Sequence, residues 1–556
     1  MADTIAILEC AYRHEAEHGS QVFLTQPVGG GRVIDYTWAQ VMDEARRMAA
    51  YLSGQGFGHG TRIAMLSKNC AHFFIAELAI WMAGGATVAI FPTETAQTVA
   101  YVLEHSEAAL LFVGKLDDWA SQRPGVPANL PCIALPLADA PAMPSWQGIV
   151  DAAKPIAGRP VRDDDELAML VYTSGSTGRP KGVMHSFGGI ARSSASINAL
   201  LNTVHTDGAQ RRLISYLPLA HVMERAYIEC ASIADERPAR VFFAESVDTF
   251  LDDLRRARPT FFFSVPRLWL KFQQGVFEKV PRRKLDLLLR LPFIGRRVGR
   301  RVLEGLGLEN ARIAGSGSAP VAPAVLQWYQ RLGLQVVQGY GMSEDFSCSH
   351  VCTREFFDLV SVGRPMLGVE SKLGEDGEIL VKSPGHMMGY YKQPEMTAES
   401  FTAEGFFHTG DLGQFDAEGK LRVTGRLKEL FKTSKGKYVA PVPIEMRLNA
   451  HPLVEMCIVA GAGREAPHAL VQLAADQVGT LGRDQVEQTL GGLLEQVNAE
   501  LSDYERLRMV VVAREPWTIE RGTLTPTLKV KRSVIEQEIA ARLDDWYAAS
   551  GRVVWA

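Results

Sequence analysis

The sequence has few of the features that mark secreted, membrane-spanning or nucleic-acid-binding proteins. Its 556 residues include seven cysteines, an odd number that is typical of a protein in a reducing compartment. None of them shows the paired spacing of a metal site, and the start, Met-Ala-Asp-Thr, lacks the basic and apolar regions of a signal peptide. The formal net charge is −4, so overall charge gives no reason to expect nucleic acid as a partner. We therefore expect a cytoplasmic protein.

The sequence also lacks a long uninterrupted hydrophobic run. A helix needs about 20 apolar residues to span a bilayer, whereas the most hydrophobic stretch, 73–91, contains Glu77 and the pair Gly84-Gly85. We predict a buried helix that ends at these glycines and leads into a strand over 87–90. With 47% hydrophobic residues, a chain of this length can build more than one domain.

Helix and strand patterns alternate through the first 160 residues. Strands are predicted at 62–66 and 110–113, and helices at 39–52, 76–82 and 99–104. This alternation predicts a mostly parallel sheet with helices on its faces. Residues 123–165, which are rich in Pro, Ala and Asp, read as a surface connection. Near the end of the chain the predicted strands are 456–460, 469–473 and 509–512, and the predicted helices 483–501 and 533–546.

One stretch carries the clearest chemistry. Residues 172–182 read Tyr-Thr-Ser-Gly-Ser-Thr-Gly-Arg-Pro-Lys-Gly and follow a strand pattern at 167–171. Glycines let backbone N–H groups approach an anion, hydroxyls add donors, and Lys181 adds a mobile positive charge. The stretch therefore predicts a polyphosphate site, although it is not a Walker motif because no Ser or Thr follows Lys181. An ordinary Gly/Ser turn is the alternative.

This stretch resembles the phosphate loop of the adenylate-forming superfamily, which includes acyl-CoA synthetases, luciferases and peptide-synthetase adenylation domains. Further motifs follow in the family's order near residues 217, 315, 338, 405, 425 and 526, so the resemblance covers essentially the whole chain. The run 405–445 is close to the fatty acyl-CoA synthetase signature. The run 221–225, His-Val-Met-Glu-Arg, is similar to the long-chain branch.

The resemblance implies a nucleotide site. In relatives the tyrosine at position 340 stacks under adenine, Glu344 binds Mg²⁺ together with Thr173, and Asp411 and Arg426 hold the ribose. The residues implied for ATP or AMP are Thr173, Ser174, Gly175, Ser176, Thr177, Gly178, Lys181, Gln338, Gly339, Tyr340, Gly341, Ser343, Asp411, Arg426 and Lys428. Taken alone, Asp411 is equally an aspartate in a turn.

It also implies an acyl site, a hinge and catalytic residues. His221 would lie at the acyl pocket with Gly315, Ser316, Gly317, Ser318 and Ala319. Lys529 belongs to a Pro-x-x-Lys motif whose lysine reaches the active site, so the implied catalytic residues are Lys529, Glu344 and His221. Lys428 occupies the family's hinge, with Lys435 and Gly436 assigned to CoA or the hinge. On the residues alone, His221 is an ordinary core or surface histidine and 523–532 a solvated basic strand.

The implied fold is α/β, with a large N-terminal domain of mostly parallel sheets flanked by helices (1–426) and a small mobile α+β C-terminal domain (427–556). The implied activity is ATP-dependent activation of a fatty acid and its transfer to CoA, with Mg²⁺. Alternatives are a ligase for aryl or medium-chain acids, an adenylating enzyme that loads a carrier protein, and a non-catalytic binding protein. We expect no carrier domain in cis, since the chain ends soon after Lys529.

One segment remains outside these motifs. Residues 279–301 contain nine basic residues and a single acid, Asp286, together with several leucines. The segment predicts either a solvated basic helix packed on the core or a contact with anionic lipid, which would place the protein peripherally on the inner membrane face.

Overall fold

The computed structural model describes residues 4–173, 179–204, 208–478, 481–525, 528–549 and 551–556. The chain forms two compact units. The first comprises Met1–Ala319, Pro323–Ser371 and Val381–Phe407, and the second Pro320–Ala322, Lys372–Leu380 and His408–Ala556. Both units combine helices with sheets, which confirms the predicted α/β class. The predicted site residues Ser174, Gly175, Ser176, Thr177 and Gly178 lie outside the described residues, as do Pro526 and Thr527 of the last motif.

A seven-stranded sheet carries the phosphate-loop motif. Its strands, from one edge to the other, are Gly389–Tyr390, Lys181–Ser186, Leu167–Thr173, Ala86–Ile90, Arg62–Leu66, Leu110–Val113 and Cys132–Ala134. The last five are parallel neighbours, and the first two pair antiparallel. The apolar runs that predicted strands at 62–66, 87–90, 110–113 and 167–171 are confirmed, because a parallel strand is buried on both faces.

The hydrophobic stretch folds as predicted. The helix Ala71–Met82 has every residue buried, and Gly84, with φ of +94°, turns the chain into the strand Ala86–Ile90. Glycine adopts this left-handed conformation without steric cost. Among the helices that the structure describes, none is long and apolar enough to cross a membrane.

Two further sheets belong to the first unit. A four-stranded sheet runs in the order Val33–Thr37, Val22–Pro27, Ala239–Phe243 and Arg211–Ser215, and a five-stranded sheet in the order Phe261–Ser264, Ile313–Ser316, Val336–Tyr340, His350–Val351 and Arg364–Pro365. The first three strands of the five-stranded sheet are parallel. Two predicted motifs therefore begin at the same edge, since the carboxyl ends of parallel strands lie together.

Helices cover these sheets. They are Ile7–His18, Trp38–Gly54, Ala71–Met82, Ala96–Ser106, Trp119–Gln122, Trp146–Ala152, Phe187–Asn202, Val222–Glu224, Ala231–Ala234, Phe250–Ala257, Pro266–Lys279, Arg282–Arg290, Ile294–Leu306, Pro323–Leu332 and Pro394–Glu399, with a π-helical segment at Arg225–Cys230. The predicted surface connection 123–165 is more ordered than expected. It contains the helix Trp146–Ala152, because the Trp146 indole is fully buried and donates to Glu44 at 3.0 Å.

The second unit contains most of a sheet formed by Glu370–Leu373, Glu378–Lys382, Phe407–Phe415 and Leu421–Arg426, a hairpin of Phe431–Lys432 and Tyr438–Val439, and a sheet of Val454–Ala460, His468–Leu473, Val510–Val512 and Val553–Trp555. Its helices are Pro441–Asn449, Ala475–Val478, Arg483–Ala499, Arg532–Ile539 and Leu543–Ala548. The predicted helix 533–546 is interrupted by a 3₁₀ turn at Ala540–Arg542. The three strands predicted at 456–460, 469–473 and 509–512 and the helix predicted at 483–501 are confirmed to within a few residues at their ends.

Candidate functional site

The phosphate-loop motif is held at both ends by one antiparallel ladder. Thr173, the last residue of the strand Leu167–Thr173, lies opposite Lys181, the first residue of the strand Lys181–Ser186. The apolar run before Thr173 is buried, whereas Thr173 and Lys181 are half-buried. The sheet therefore presents a hydroxyl and a positive charge where the buried strands end.

Tyr390 connects this ladder to the second predicted phosphate motif. Its hydroxyl donates to Glu344 Oε1 at 2.8 Å, and its ring centroid lies 5.2 Å from Lys181 Nζ. The backbone N–H of Met387 also donates to the Glu344 carbonyl at 2.8 Å. The predicted phosphate lysine and the predicted Mg²⁺-binding carboxylate are thus brought to the two sides of one tyrosine.

A tight turn fixes Glu344. Ser343 begins the 3₁₀ turn Ser343–Asp345, and the buried Asp345 carboxylate accepts from the backbone N–H of Met342 at 2.9 Å. Burial raises the pKa of Asp345 to about 8, and the neighbouring Glu344 contributes to this rise. The following Phe346 and Ser347 both have positive φ, 52° and 56°. Glu344 therefore projects from a backbone conformation that the local hydrogen bonds enforce.

The residues predicted beside the nucleotide lie on the strand Val336–Tyr340 and just beyond it. The Tyr340 ring is half-buried and lies 6.2 Å from that of His350. The side-chain amide of Gln338 is buried and donates to the Leu359 carbonyl at 3.1 Å. Gly341 approaches the Ser347 backbone so closely that a Cβ would stand 3.0 Å from it.

The Gly-Ser-Gly-Ser-Ala motif forms a surface covered by one aromatic ring. A Cβ on Gly315 would stand 2.3 Å from the Phe263 ring, and one on Gly339 would stand 3.6 Å from it. The neighbouring Ser316 hydroxyl is buried without a hydrogen-bond partner. Ser318, with φ of 68°, turns the chain out of the strand. Glycine at 315 is therefore required by packing, because the Phe263 ring occupies the space that a side chain would take.

A small cavity of about 20 Å³, roughly the space of one water molecule, borders Phe263. It is lined by Leu200, Thr203, Val204, Phe263, Arg312, Ile313, Gln335, Val337, Val351, Cys352, Thr353 and Arg354. Most of these side chains are apolar, and the two arginines are the charged ones. The cavity and the predicted acyl-site glycines thus share Phe263 as a common wall.

The loop before His221 is held by two buried polar side chains. Asn69 donates to the Leu217 carbonyl at 2.6 Å and accepts from the Leu219 N–H at 3.2 Å. Glu224 accepts from the Tyr216 N–H at 2.9 Å, and burial raises the pKa of this carboxyl to about 8.

His221 caps the short helix Val222–Glu224, and its Nδ1 accepts from the Met223 N–H at 3.2 Å. This bond assigns the proton of the neutral ring to Nε2.

Buried charge surrounds the helix that follows. Arg225 is ion-paired with Glu77 and, at 2.8 Å, with Glu229, and all three side chains are at most 1% exposed. Two carboxylates share one guanidinium, and burial together with Glu77 raises the pKa of Glu229 well above its ordinary value. Arg225 and Glu229 lie in the π-helical segment Arg225–Cys230, and Glu77 lies in the helix Ala71–Met82. A buried pair of this kind is costly to break from one side.

In the second unit the predicted ribose pair is assembled. Asp411 and Arg426 lie directly opposite each other in an antiparallel pair of strands, and Arg426 Nε donates to Asp411 Oδ1 at 2.9 Å. The Asp411 side chain is 9% exposed and that of Arg426 58% exposed. Gly410, with φ of 68°, allows the chain to turn immediately before Asp411.

The predicted hinge residues follow within a short distance along the chain. Lys428 is exposed in the 3₁₀ turn Leu427–Glu429. Lys435 forms an exposed ion pair with Glu465 at 3.0 Å, and Gly436 has φ of 78° in the turn between the two strands of the hairpin. An exposed ion pair of this kind contributes little to stability.

Lys529 stands on a tight turn rather than on the strand that the charge pattern suggested. The Thr525 N–H donates to the Lys529 carbonyl at 2.8 Å, and the Lys529 N–H donates to Thr525 Oγ1 at 3.0 Å. Leu528 has φ of 59°. A positive φ is the conformation that glycine adopts most readily. The turn holds the exposed Lys529 at its end.

Sequence reasoning did not find three side chains that shape these sites: Tyr390, Phe263 and Asn69. Gly389 in the run Gly389-Tyr390-Tyr391-Lys392 was a usable sequence signal for Tyr390. In the structure this glycine has φ of 145°. Phe263 and Asn69 lie in an apolar strand and an ordinary loop, and only the fold brings them to their partners.

The comparisons agree with this arrangement. The model of the AMP-binding enzyme family matches residues 12–391, and that of the AMP-binding enzyme C-terminal domain matches residues 429–551. Because the first match alone exceeds half of the chain, the protein belongs to the AMP-binding enzyme family. The resemblance to the adenylate-forming superfamily is thereby confirmed.

Individual relatives extend the likeness over the full length. The chain is 30% identical to the long-chain-fatty-acid–CoA ligase FadD15 of Mycobacterium bovis, with 98% of this chain and 97% of the relative covered. The adenylation domain of a carboxylic acid reductase from Segniliparus rugosus, solved with AMP and a co-purified carboxylic acid, superposes with a TM-score of 0.80 at 22% identity, covering 98% and 94% of the two chains. A benzoate CoA ligase from Burkholderia xenovorans gives 0.73 at 19% identity, covering 96% and 99%. These solved structures support the fold.

Proposed function

We propose that the protein is an AMP-forming ligase that activates a long-chain fatty acid with ATP and transfers it to CoA. The observation that carries this proposal is the meeting of Lys181 and Glu344 at Tyr390, which suits the phosphates of a nucleotide. The relatives with the highest identity over the full chain include a long-chain-fatty-acid–CoA ligase, which supports the choice of acid.

In the first step, a carboxylate oxygen of the fatty acid attacks the α-phosphorus of ATP. A new P–O bond forms, the bond to the bridging oxygen of the β-phosphate breaks, and pyrophosphate leaves. The protein's task is to align the two reactants and to stabilise charge on the phosphate oxygens. Lys181 is assigned to the β- and γ-phosphates, Lys529 to the carboxylate and α-phosphate, and Asp411 with Arg426 to the ribose.

The donor set also fits Mg²⁺. This ion prefers oxygen ligands and retains several waters, so one or two carboxylates with substrate phosphates suffice. Glu344 and Thr173 would hold it, and it would supply charge neutralisation at the phosphates.

In the second step, the thiol of CoA attacks the acyl carbon, the thioester C–S bond forms, and AMP leaves. A carboxylate is a poor electrophile, whereas the mixed anhydride carries AMP as a good leaving group. We assign residues 427–556 to a mobile domain that turns about Lys428 between the two steps, with Lys435 and Gly436 near the CoA site. Such a hinge motion would withdraw Lys529 before CoA arrives.

The acyl chain is assigned to the region around Gly315 and Phe263. We expect an apolar surface in this region, where each buried methylene would contribute about 0.8 kcal/mol to binding. A long saturated chain would use this surface more fully than a short or aromatic acid, so we expect a preference for chains of roughly twelve carbons or more.

One experiment separates this function from its alternatives. Pyrophosphate release is measured with palmitate, with benzoate and without acid, and the product formed with CoA or with a phosphopantetheinylated carrier protein is identified by mass. Palmitoyl-CoA as the best product supports the proposal. Higher specificity constants with benzoate would favour an aryl-acid ligase. Transfer of the acid to the carrier protein would favour an adenylating enzyme that loads a carrier. If pyrophosphate release does not depend on acid, a non-catalytic binding protein is favoured.

A further inference from the structure

The basic segment 279–301 forms a helical hairpin with an exposed apolar tip. It contains the helix Arg282–Arg290 and the start of the helix Ile294–Leu306, joined by Leu291, Pro292 and Phe293. At the tip, Leu287 is 63%, Phe293 83% and Ile294 48% exposed. Four large apolar side chains, with Leu291 as the fourth, therefore face solvent together. Isolated exposed hydrophobic residues are normal, but a contiguous group of this kind marks an interaction surface.

Phe293 occupies its position at a conformational cost. Its φ is +64°, a region that a bulky side chain rarely adopts. Its ring is among the most exposed large hydrophobic groups of the described chain. A strained backbone that presents an aromatic ring to water is retained where the ring has a partner.

Cations surround this tip. The segment has nine basic residues and one acid, a net charge of +8, whereas the whole chain carries −4. Its single acid, Asp286, is held by Arg331 at 3.1 Å and by Arg282 at 3.8 Å. All nine basic residues are exposed: Lys279, Arg282, Arg283, Lys284, Arg290, Arg296, Arg297, Arg300 and Arg301.

The hairpin displays these groups rigidly. The second helix turns Gly295 and Gly299 toward the protein, where a Cβ would stand 2.5 Å from the Leu289 carbonyl and 2.6 Å from the Leu332 carbonyl. The opposite face of this helix carries Arg296, Arg297 and Arg300, which are exposed. The close packing of the glycine face fixes the direction in which the arginines point.

We propose that this hairpin docks the protein on an anionic bilayer, with the apolar tip inserted among the lipids and the arginines on the headgroups. A soluble polyanion would use the arginines but leave the four apolar side chains in water. A bilayer interface accommodates both, because amphipathic surface elements bury their apolar face below the headgroups. The occupant that matches the whole surface is therefore a membrane carrying anionic lipid.

The test is co-sedimentation of the full chain with vesicles of phosphatidylcholine containing 30% phosphatidylglycerol, against pure phosphatidylcholine. One variant replaces Arg296, Arg297, Arg300 and Arg301 with Gln. Its matched control makes the same change of charge elsewhere, at Arg32, Lys154, Arg422 and Arg506. A second variant, Leu287→Ser with Phe293→Gly, removes apolar tip groups, and glycine accepts the positive φ, so the turn is preserved. Unchanged melting temperatures confirm folding.

We expect binding to anionic vesicles at least about tenfold tighter than to neutral ones, a loss of about tenfold or more in the arginine variant, and little change in its control. The tip variant should lose vesicle binding severalfold while retaining its affinity for heparin. Absence of sedimentation, or equal behaviour of the arginine variant and its control, would overturn the proposal. Full vesicle binding by the tip variant would also overturn the proposal, because it would show a purely electrostatic contact that needs no inserted tip. None of these outcomes depends on the ligase activity.

Discussion

At the scale of single residues, Asp411 and Lys529 represent two ways in which a polar side chain is prepared for a substrate. Asp411 is buried and aligned by a strand register, so its geometry is set before any ligand binds. Lys529 is exposed, and its backbone carbonyl accepts from the Thr525 N–H. Pre-organisation at the first site and mobility at the second are what the proposed division of labour needs.

Replacing Asp411 with Ala should weaken ATP binding. A hydrogen bond to a charged group contributes about 1.5–3 kcal/mol, so affinity measured by calorimetry should fall roughly tenfold to a hundredfold. Asp416→Ala is the matched control, because Asp416 is a more exposed aspartate in the turn that ends the same strand. Equal ATP affinity in Asp411→Ala and the parent would contradict the ribose assignment.

Replacing Lys529 with Ala should separate the two half-reactions. Removal of one pre-organised charge costs about 10²–10³ in rate, and pyrophosphate release driven by fatty acid should fall by that factor. The same variant should convert supplied acyl-adenylate and CoA to thioester near the parent rate. Lys531→Ala serves as the control, and a selective loss there would show that the motif is aligned two residues away. Equal damage to both steps would rule out the two-conformation mechanism.

At the scale of elements, hydrophobic periodicity predicted the buried strands correctly. It missed elements that depend on a single residue and its partner. The apolar runs at 62–66, 110–113 and 167–171 identified strands, because both faces of a parallel strand are buried. The connection 123–165 was underestimated, since its helix depends on one buried residue, Trp146, in a polar background. The turn at Lys529 was read as a strand because charge patterns carry no information on φ.

The segment around Lys428 allows a prediction about one element. Lys428→Pro restricts φ in the 3₁₀ turn Leu427–Glu429 and the conformation of the residue before it. If this turn is the hinge, the variant should form acyl-adenylate and release pyrophosphate once, but thioester formation should fall at least about tenfold relative to adenylate formation. Lys428→Ala, which leaves the backbone unrestricted, is the control. Proportional loss of both steps in the proline variant would argue against a hinge here.

At the scale of the whole molecule, motif residues of the first unit are brought together by contacts with residues outside the motifs. Lys181 and Glu344 stand 163 positions apart by their residue numbers, and Tyr390 joins them. The resemblance to the adenylate-forming superfamily suggested roles for the motif residues. It did not supply Phe263 or Asn69, whose importance depends on which backbone atoms lie opposite them.

Buried ionisable groups set the pH dependence of stability. Burial lowers the pKa of His185 to about 3 and those of His14, His350, His386 and His468 to about 4. The unfolded chain binds protons at these sites at a pKa of about 6.5, so stability falls as pH drops below that value. Glu224 and Asp345, raised to about 8, act in the opposite sense, because the folded state keeps their protons. Because these two carboxyl groups reduce stability as the pH rises, the free energy of unfolding should be greatest near about pH 6.5.

A His185→Leu variant tests one contribution. His185 is fully buried, 4.9 Å from the Phe346 ring. Between pH 6.5 and pH 5 the parent should lose about 2 kcal/mol through this site, and the variant should not. Denaturant unfolding at both pH values measures the difference. Val183→Ala is the control, since Val183 is a fully buried residue of the same strand and the change removes no titratable group. Identical pH dependence in His185→Leu and the parent would contradict the assignment.

In the helix Ile294–Leu306, the packing of the glycine face determines where the arginines on the same helix point. At Gly299 a methyl group would collide with the Leu332 carbonyl, and the helix would have to roll or lift to accommodate it. The arginines of this helix would all still be present, but their side chains would point in a different direction. We therefore expect the conservative change Gly299→Ala, which removes no charged residue, to weaken the proposed docking of this hairpin on a membrane.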